Sequence, residues 1–280
     1  SIMYHLFVES PLLFELIDLY RINQWTIPGY AMMVPIFHSY GYCFSPGYQI
    51  PLIGDSEQRN PETLKRYQRI VAKYANEPWL EYLGTEGGSG SAPTFTSYIA
   101  PDSRIAFLRK DWTAQSPFVC MNIGYGNGWH SHYDFLSVLY YQGGEWILRD
   151  SGVENYIPSI RTKFIRSVMH TVPVFAGKGQ EYGDTYPPDV RGTILDSSLQ
   201  EKYDYIHAEM TYPGISSSLK VERRLFFYKD SFLVFFDSVT GNTDSYEEFF
   251  QIGENFESIS IGTDRVEFSR NDHHATIYAM

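Results

Sequence analysis

Gly124-Tyr-Gly-Asn-Gly-Trp-His130-Ser-His132-Tyr-Asp134, then Phe135-Leu-Ser-Val-Leu-Tyr-Tyr-Gln142, a Gly143-Gly144 turn and Glu145-Trp-Ile-Leu-Arg-Asp150-Ser-Gly152, is the run against which the rest of the chain is read. Two aromatic, β-branched segments joined by paired glycines predict an antiparallel hairpin. His130, His132 and Asp134 are spaced by two, so on a strand all three share one face. Gly124, Gly126 and Gly128 ahead of them leave that face open to something large. The second strand, Glu145 to Arg149, ends at Asp150, and His170 follows a basic stretch. Two histidines and two carboxylates therefore meet on adjacent strands, with a third histidine close behind.

Downstream the same character continues. Ile105–Leu108, Phe118–Ile123, Tyr203–Met210, Leu219–Tyr228, Phe232–Val239 and Tyr246–Ile252 read as strands, as do Phe135–Tyr141 and Trp146–Leu148 within the opening run. Turn residues such as Lys229-Asp230-Ser231 and Gly241-Asn242 separate them. No long helical pattern recurs, which predicts an antiparallel layered β structure. Upstream the period changes. Leu12, Leu13, Leu16, Ile17 and Tyr20 recur at helical spacing, Pro28-Gly29 breaks the pattern, and 30–42 suits a second buried helix. After a loop over Pro46–Asp55, Pro61 opens an amphipathic helix over Glu62–Asn76, with Pro78 as its stop. Gly84–Pro93 is the clearest linker. The expected organisation is α+β: a helical part over 1–84, a linker over 85–93 and a β part over 94–280. No repeat of fixed period is present.

A net charge of −11 argues against wholesale binding to nucleic acid. A locally basic cleft remains compatible with it, since Arg149, Arg161, Lys163 and Arg166 bracket the histidines. Aromatic residues make up 17% of the chain, which favours strands and supplies flat faces for stacking on sugar rings. Two cysteines, Cys43 and Cys120, make no disulfide framework, and Cys120 sits in an apolar strand. No signal peptide and no membrane span is recognisable. The chain begins at Ser1, inside a helical pattern, so a fragment of a longer protein is expected.

Two histidines and a carboxylate from separate segments are a frequent zinc set, with a fourth place for water. His132, Asp150 and His170 can supply it, which leaves His130 for acid–base chemistry near neutral pH. The bland reading of His-X-His, two histidines hydrogen-bonded on a sheet, carries comparable weight until Asp150 and His170 are added.

The ordered combination resembles the heparinase II/III-like polysaccharide lyases. Their His-X-His-Ala-Asp, strand, Asp-Pro-Gly core is matched by Trp129-His-Ser-His-Tyr-Asp134 and by Asp150-Ser-Gly152. Ser103–Trp112 is similar to the family's strand leading to an Arg and a Trp. His170-Thr-Val-Pro-Val, with Gln180 after it, resembles a later His-Asn-Thr-Val segment. Glu222-Arg-Arg-Leu-Phe-Phe-Tyr to Asp237 resembles an Arg-plus-Asp strand pair. Gln49-Ile-Pro-Leu-Ile-Gly-Asp55 resembles a Pro-X-Ile-Gly-Asp loop, and Tyr4-His5 the Tyr-His that opens a helix.

The resemblance implies the C-terminal helices of an (α/α) toroid followed by an antiparallel β-sandwich, and β-elimination of a uronic-acid-containing polysaccharide. It implies Tyr4 and His130 as catalytic residues, and His132, Asp150 and His170 as zinc ligands. Asp134 then orients a histidine, while Trp129 and Arg149 meet substrate. A periplasmic or secreted location follows from the same likeness. Tyr133 stands for the family's Ala, Ser151 for its Pro and Thr171 for its Asn. The family's carboxylate-neutralising Asn or His lies upstream of the Tyr-His helix, so it is expected before Ser1. Two other readings compete: a non-catalytic carbohydrate-binding relative, and a zinc-dependent hydrolase. Few Lys and Arg near the histidines favour a less sulfated uronan.

Overall fold

The computed structural model describes residues 10–25, 38–39, 41–58, 60–124, 130–181, 192–241, 245–254, 256–270 and 273–278. Helices α1 (Ser10–Ile22), α2 (Pro61–Ala75) and α3 (Pro78–Gly84) come first. Asn60 caps α2, its side chain accepting from the Glu62 N–H at 2.9 Å, and Asn76 ends it in the left-handed region. Pro78 does more than stop α2. It occupies the first turn of α3, where its missing N–H costs nothing. Of the helix expected over 30–42, most lies outside the described residues. The glycine-rich segment after α3 folds back onto it: Ser91 N–H donates to the Pro78 carbonyl, and the Ser89 hydroxyl to Glu81.

Strands β1 (Tyr98–Ala100), β2 (Ile105–Arg109), β3 (Phe118–Asn122), β4 (Ser137–Gln142) and β5 (Glu145–Leu148) form one antiparallel meander in sequence order. The next stretch holds a short helix, α4 (Pro158–Phe164), and the two-residue strand β6 (Pro173–Val174). Strands β7 (Thr193–Leu199), β8 (Tyr203–Thr211), β9 (Lys220–Tyr228) and β10 (Phe232–Thr240) make a second antiparallel sheet, in the order β10-β9-β8-β7. Strand β11 (Glu247–Glu248) pairs with β6, and β12 (Ser258–Ile261), β13 (Arg265–Arg270) and β14 (His273–Tyr278) form a three-stranded sheet. The strand expected over Tyr246–Ile252 contracts to β11 and a single bridge from Ile252 to Leu148.

The first sheet is buried on both faces, and its residues divide between two cores. Phe107, Phe118, Cys120, Leu139, Tyr141 and Trp146 pack with Ile17, Leu64, Val71 and Leu80 of the helices. Ala106, Leu108, Val119, Met121, Val138 and Leu148 pack with Ile206, Ala208, Met210, Val221, Leu225 and Phe227 of the second sheet. This explains the sequence pattern. All five residues of β3 are buried and its letters run without alternation, whereas β8 and β9, wet on one face, alternate strictly. Cys43 and Cys120 are buried, free thiols in the first core.

Candidate functional site

His130–Asp134, expected on a strand, is irregular and only β4 beyond it is extended. The reason lies in its partners. The Asp55 N–H donates to the His130 carbonyl at 3.0 Å, and the Tyr133 N–H to the Ile165 carbonyl at 2.9 Å, so neighbouring loops take the backbone groups a ladder would use. The loop ending at Asp55 is also tied to the segment after β5. The Val153 N–H donates to the Ser56 carbonyl, and Gly152, at φ +59°, lies against the same oxygen. A Cβ on Gly152 would stand 2.1 Å from it, so only glycine fits.

His132, Asp150 and His170 converge. All three are buried, and one ligand atom from each lies within 4.8 Å of the others. His170 Nδ1 meets Asp150 Oδ2 at 2.6 Å, and Asp150 Oδ1 accepts from the Gly152 N–H at 3.0 Å. His170 Nε2 is buried with no hydrogen-bond partner. A buried imidazole nitrogen in that state costs free energy unless something else meets it. Two nitrogens and a carboxylate oxygen are a donor set that suits a zinc-like ion, so the residues fit a metal. Burial pushes the His170 pKa down, but Asp150 and then Asp134 outweigh it and hold it above the ordinary value. Asp134 is itself buried, its Oδ2 without a hydrogen-bond partner.

The histidine pair is held from the helical side. Asp55, wholly buried, takes His130 Nδ1 on Oδ2 at 3.0 Å and His132 Nε2 on Oδ1 at 2.9 Å. Arg161, from α4, closes the cluster with Nε 3.2 and 3.1 Å from the two carboxylate oxygens. Burial pushes the Asp55 carboxyl up, but hydrogen bonds from His132 and Arg161 prevail and hold it below the usual carboxylate range. His130 keeps 36% of its side chain exposed while His132 keeps none. Over His130 sits Tyr156, ring edge to ring face, its hydroxyl 3.5 Å from Nδ1. Partial burial, then the charges of Asp55 and Glu57, raise the Tyr156 phenol above its ordinary pKa.

The second sheet braces the cluster. Arg223, fully buried on β9, donates through Nη1 to the carbonyls of Leu136 at 2.8 Å and Thr171 at 2.9 Å. Its Nε and Nη2 pair with Asp237 of β10, directly across the ladder, and Nη2 also reaches Glu248. Gln180 clamps the Phe135 backbone, accepting from its N–H at 2.9 Å and donating to its carbonyl at 2.7 Å.

Tyr4 and Trp129 lie outside the described residues. Arg149 directs its guanidinium to Glu254. Asp55 and Tyr156 were not singled out from sequence as site residues. For Asp55 a signal existed, the Gly54-Asp55 end of a proline-rich loop, but nothing local ties it to histidines 75 and 77 residues away.

A helical layer, a doubly buried meander and a second antiparallel sheet, with a His/Asp cluster where a loop of the helical part meets the ends of the meander and the segment between the sheets, define an α+β chain with a built polar site. By fold the chain is heparinase-like. It superposes on the heparan sulfate lyase HepC of Pedobacter heparinus with a TM-score of 0.86, at 15% identity, over 99% of this chain and 44% of that one. A solved heparinase III gives 0.82 at 19% identity over 97% of this chain and 45% of that one. In sequence, the chain is 21% identical over 203 residues to a heparin-sulfate lyase of Bacteroides stercoris, spanning 70% of this chain and 29% of the relative. It thus covers less than half the length of these proteins. No family model matches it.

Proposed function

We propose that this chain carries part of the active site of a polysaccharide lyase that cleaves a uronic-acid-containing polysaccharide by β-elimination. The observation that carries the reading is His130: partly exposed, tethered through Nδ1 to a buried carboxylate, with a tyrosine hydroxyl beside it, in a heparinase-like fold. In such a reaction the weakly acidic proton beside the uronate carboxylate is removed. Its electron pair becomes a carbon–carbon double bond as the glycosidic bond breaks, and the leaving oxygen takes up a proton. Developing charge on the carboxylate needs positioned donors.

On this reading His130, partly exposed, acts as base or proton carrier through its second nitrogen. Tyr4 remains the tyrosine that the family likeness selects. Tyr156, its phenol held in the protonated form, is a second candidate, suited to give a proton to the leaving oxygen. Arg149 and Trp129 are proposed to meet substrate, and Asp134 to support the histidine cluster.

The same reading places zinc at His132, Asp150 and His170, where the ion would knit three loops together. The burial of all three supports a structural rather than a hydrolytic metal, since a catalytic zinc keeps a position open to water and substrate. On this reading residues 1–84 are the C-terminal helices of an (α/α) toroid and 94–280 the β-domain. The polysaccharide partner is acidic, and the protein is periplasmic or secreted.

The test is a panel of uronic polysaccharides of differing sulfation offered to the whole protein. A lyase leaves unsaturated uronate ends that absorb in the near ultraviolet. Reducing ends that accumulate without that absorbance would replace the reading with a hydrolase, and binding without either product would replace it with a carbohydrate-binding protein.

A further inference from the structure

Asp55 serves both histidines at once, and that has a consequence for what each can do. The carboxylate is wholly buried and held by Arg161 through Nε and, at 3.1 Å, Nη2. A buried carboxylate matched to a guanidinium stays ionised, and an ionised carboxylate only accepts hydrogen bonds. Both ring nitrogens that face it must therefore carry hydrogen: Nδ1 of His130, at 3.0 Å, and Nε2 of His132, at 2.9 Å. The two rings are met from opposite edges. His130 is left with Nε2 as its lone-pair nitrogen, on the ring that remains 36% exposed, and His132 with Nδ1, on a ring wholly buried beside His170 and Asp150.

We propose that Asp55 is a positioning residue that fixes opposite tautomers on His130 and His132 and so couples the candidate metal centre to the partly exposed histidine. The nitrogen left for a metal on His132 and the nitrogen left for chemistry on His130 are thus selected by the two oxygens of one group. The Asp55 N–H also donates to the His130 carbonyl at 3.0 Å, so the same residue fixes the backbone that carries the ring. His132, if it held a metal, would donate more strongly from Nε2–H to Asp55, and Asp55 would then be held more firmly for His130. A carboxylate behind a metal-ligating histidine fixes its ring and raises its basicity. Here it arrives from the helical side of the molecule and reaches a second histidine as well.

The inference rests on the lyase reading only for the role of His130, and the experiment separates the two. In the zinc-loaded whole protein at mildly alkaline pH, long-range nitrogen–proton NMR of the histidine rings is expected to show hydrogen on Nδ1 of His130 and on Nε2 of His132. Hydrogen on Nε2 of His130 overturns the proposal without any mutation, whether or not a variant folds. Asp55→Asn, which offers one acceptor and one donor in place of two acceptors, is expected to weaken zinc binding by about 10–100-fold. It is also expected to shift the His130 tautomer and to lower kcat more than tenfold with KM changed by no more than about threefold. His130→Ala is expected to leave zinc affinity within about twofold, because the coupling runs through Asp55 and not through the neighbouring ring. A change in zinc affinity with no change at His130, or the reverse, overturns the proposal, since one carboxylate would then not serve both. Absence of turnover on every uronan removes the lyase reading but leaves the zinc and tautomer readouts to decide on Asp55.

Discussion

At the scale of single residues, the two histidines of the His-Ser-His run differ in burial, and that difference separates their expected failures. His132 is closed off with Asp150 and His170, so His132→Ala opens that buried cluster and, on the proposed zinc reading, takes away one of its three ligands. It is expected to lower thermal stability and metal content together, measured by calorimetry and elemental analysis. His130 keeps 36% of its side chain exposed, so His130→Ala is expected to melt within a few degrees of the parent while, on the proposed lyase reading, turnover falls about 10²–10⁴-fold. Tyr156→Phe and Tyr4→Phe each remove one hydroxyl, and whichever abolishes turnover while folding is kept names the working tyrosine. Gly152→Ala forces a left-handed backbone and a clash with the Ser56 carbonyl. A loss of roughly 1–3 kcal/mol or more in denaturant melts is expected.

The site's residue types were legible in sequence, and its geometry was not. His132, Asp150 and His170 could be grouped because two flank one hairpin and the third follows soon after. The Asp55 tether could not, because it joins a loop of the helical part to a loop of the β part. The strand expected under His130–Asp134 failed for a related reason: periodicity of two reports which side chains share a face only while the backbone spends its hydrogen bonds on a ladder. Here those bonds go to Asp55 and Ile165.

At the scale of elements, β9 and β10 carry a buried charge cluster that reaches the site through two carbonyls. Arg223 pairs with Asp237 and Glu248, and Tyr246 donates its hydroxyl toward the two carboxylates at 3.0 and 2.9 Å. Burial first, with Asp237 alongside, pushes Glu248 up to about 7 against the pull of Arg223. The folded state therefore keeps a proton that the unfolded chain gives up near pH 4.5. Stability from this proton is full below that value, falls as pH rises toward 7 and is gone above it. Glu248→Gln copies the protonated form. It is expected to match the parent in thermal melts at about pH 5 and to exceed it at about pH 8. The strand pair itself was legible, since β9 alternates without a fault. Short elements such as β6 and β11, two residues each, left no pattern to find.

At the scale of the whole molecule, the glycine-rich segment marks a change of secondary structure without marking a gap in packing. Helices α1 to α3 cover one face of the first sheet, and Arg109 at the end of β2, fully buried, donates to the carbonyls of Tyr42 at 2.5 Å and Phe44 at 3.1 Å across that contact. A fragment of residues 94–280 would bare Phe107, Phe118, Leu139 and Trp146. It is expected to bind a hydrophobic dye and to melt well below the longer chain, and a fragment that stayed dye-silent would show that the β part stands alone. Sequence composition located the change of layer because helix and strand periods differ on either side of it. It gave no measure of the contact, because a residue in a doubly buried strand looks the same whichever layer covers it.

That sandwiched position of β3 also sets a clock. Its five residues are buried, its two ladder neighbours are themselves paired on their far sides, and its faces belong to different cores. No local opening of the helices alone, or of the second sheet alone, frees its amides. Deuterium should therefore enter Phe118–Asn122 last, at a rate set by global unfolding, while the edge strand β1 and the exposed strand β7 label early.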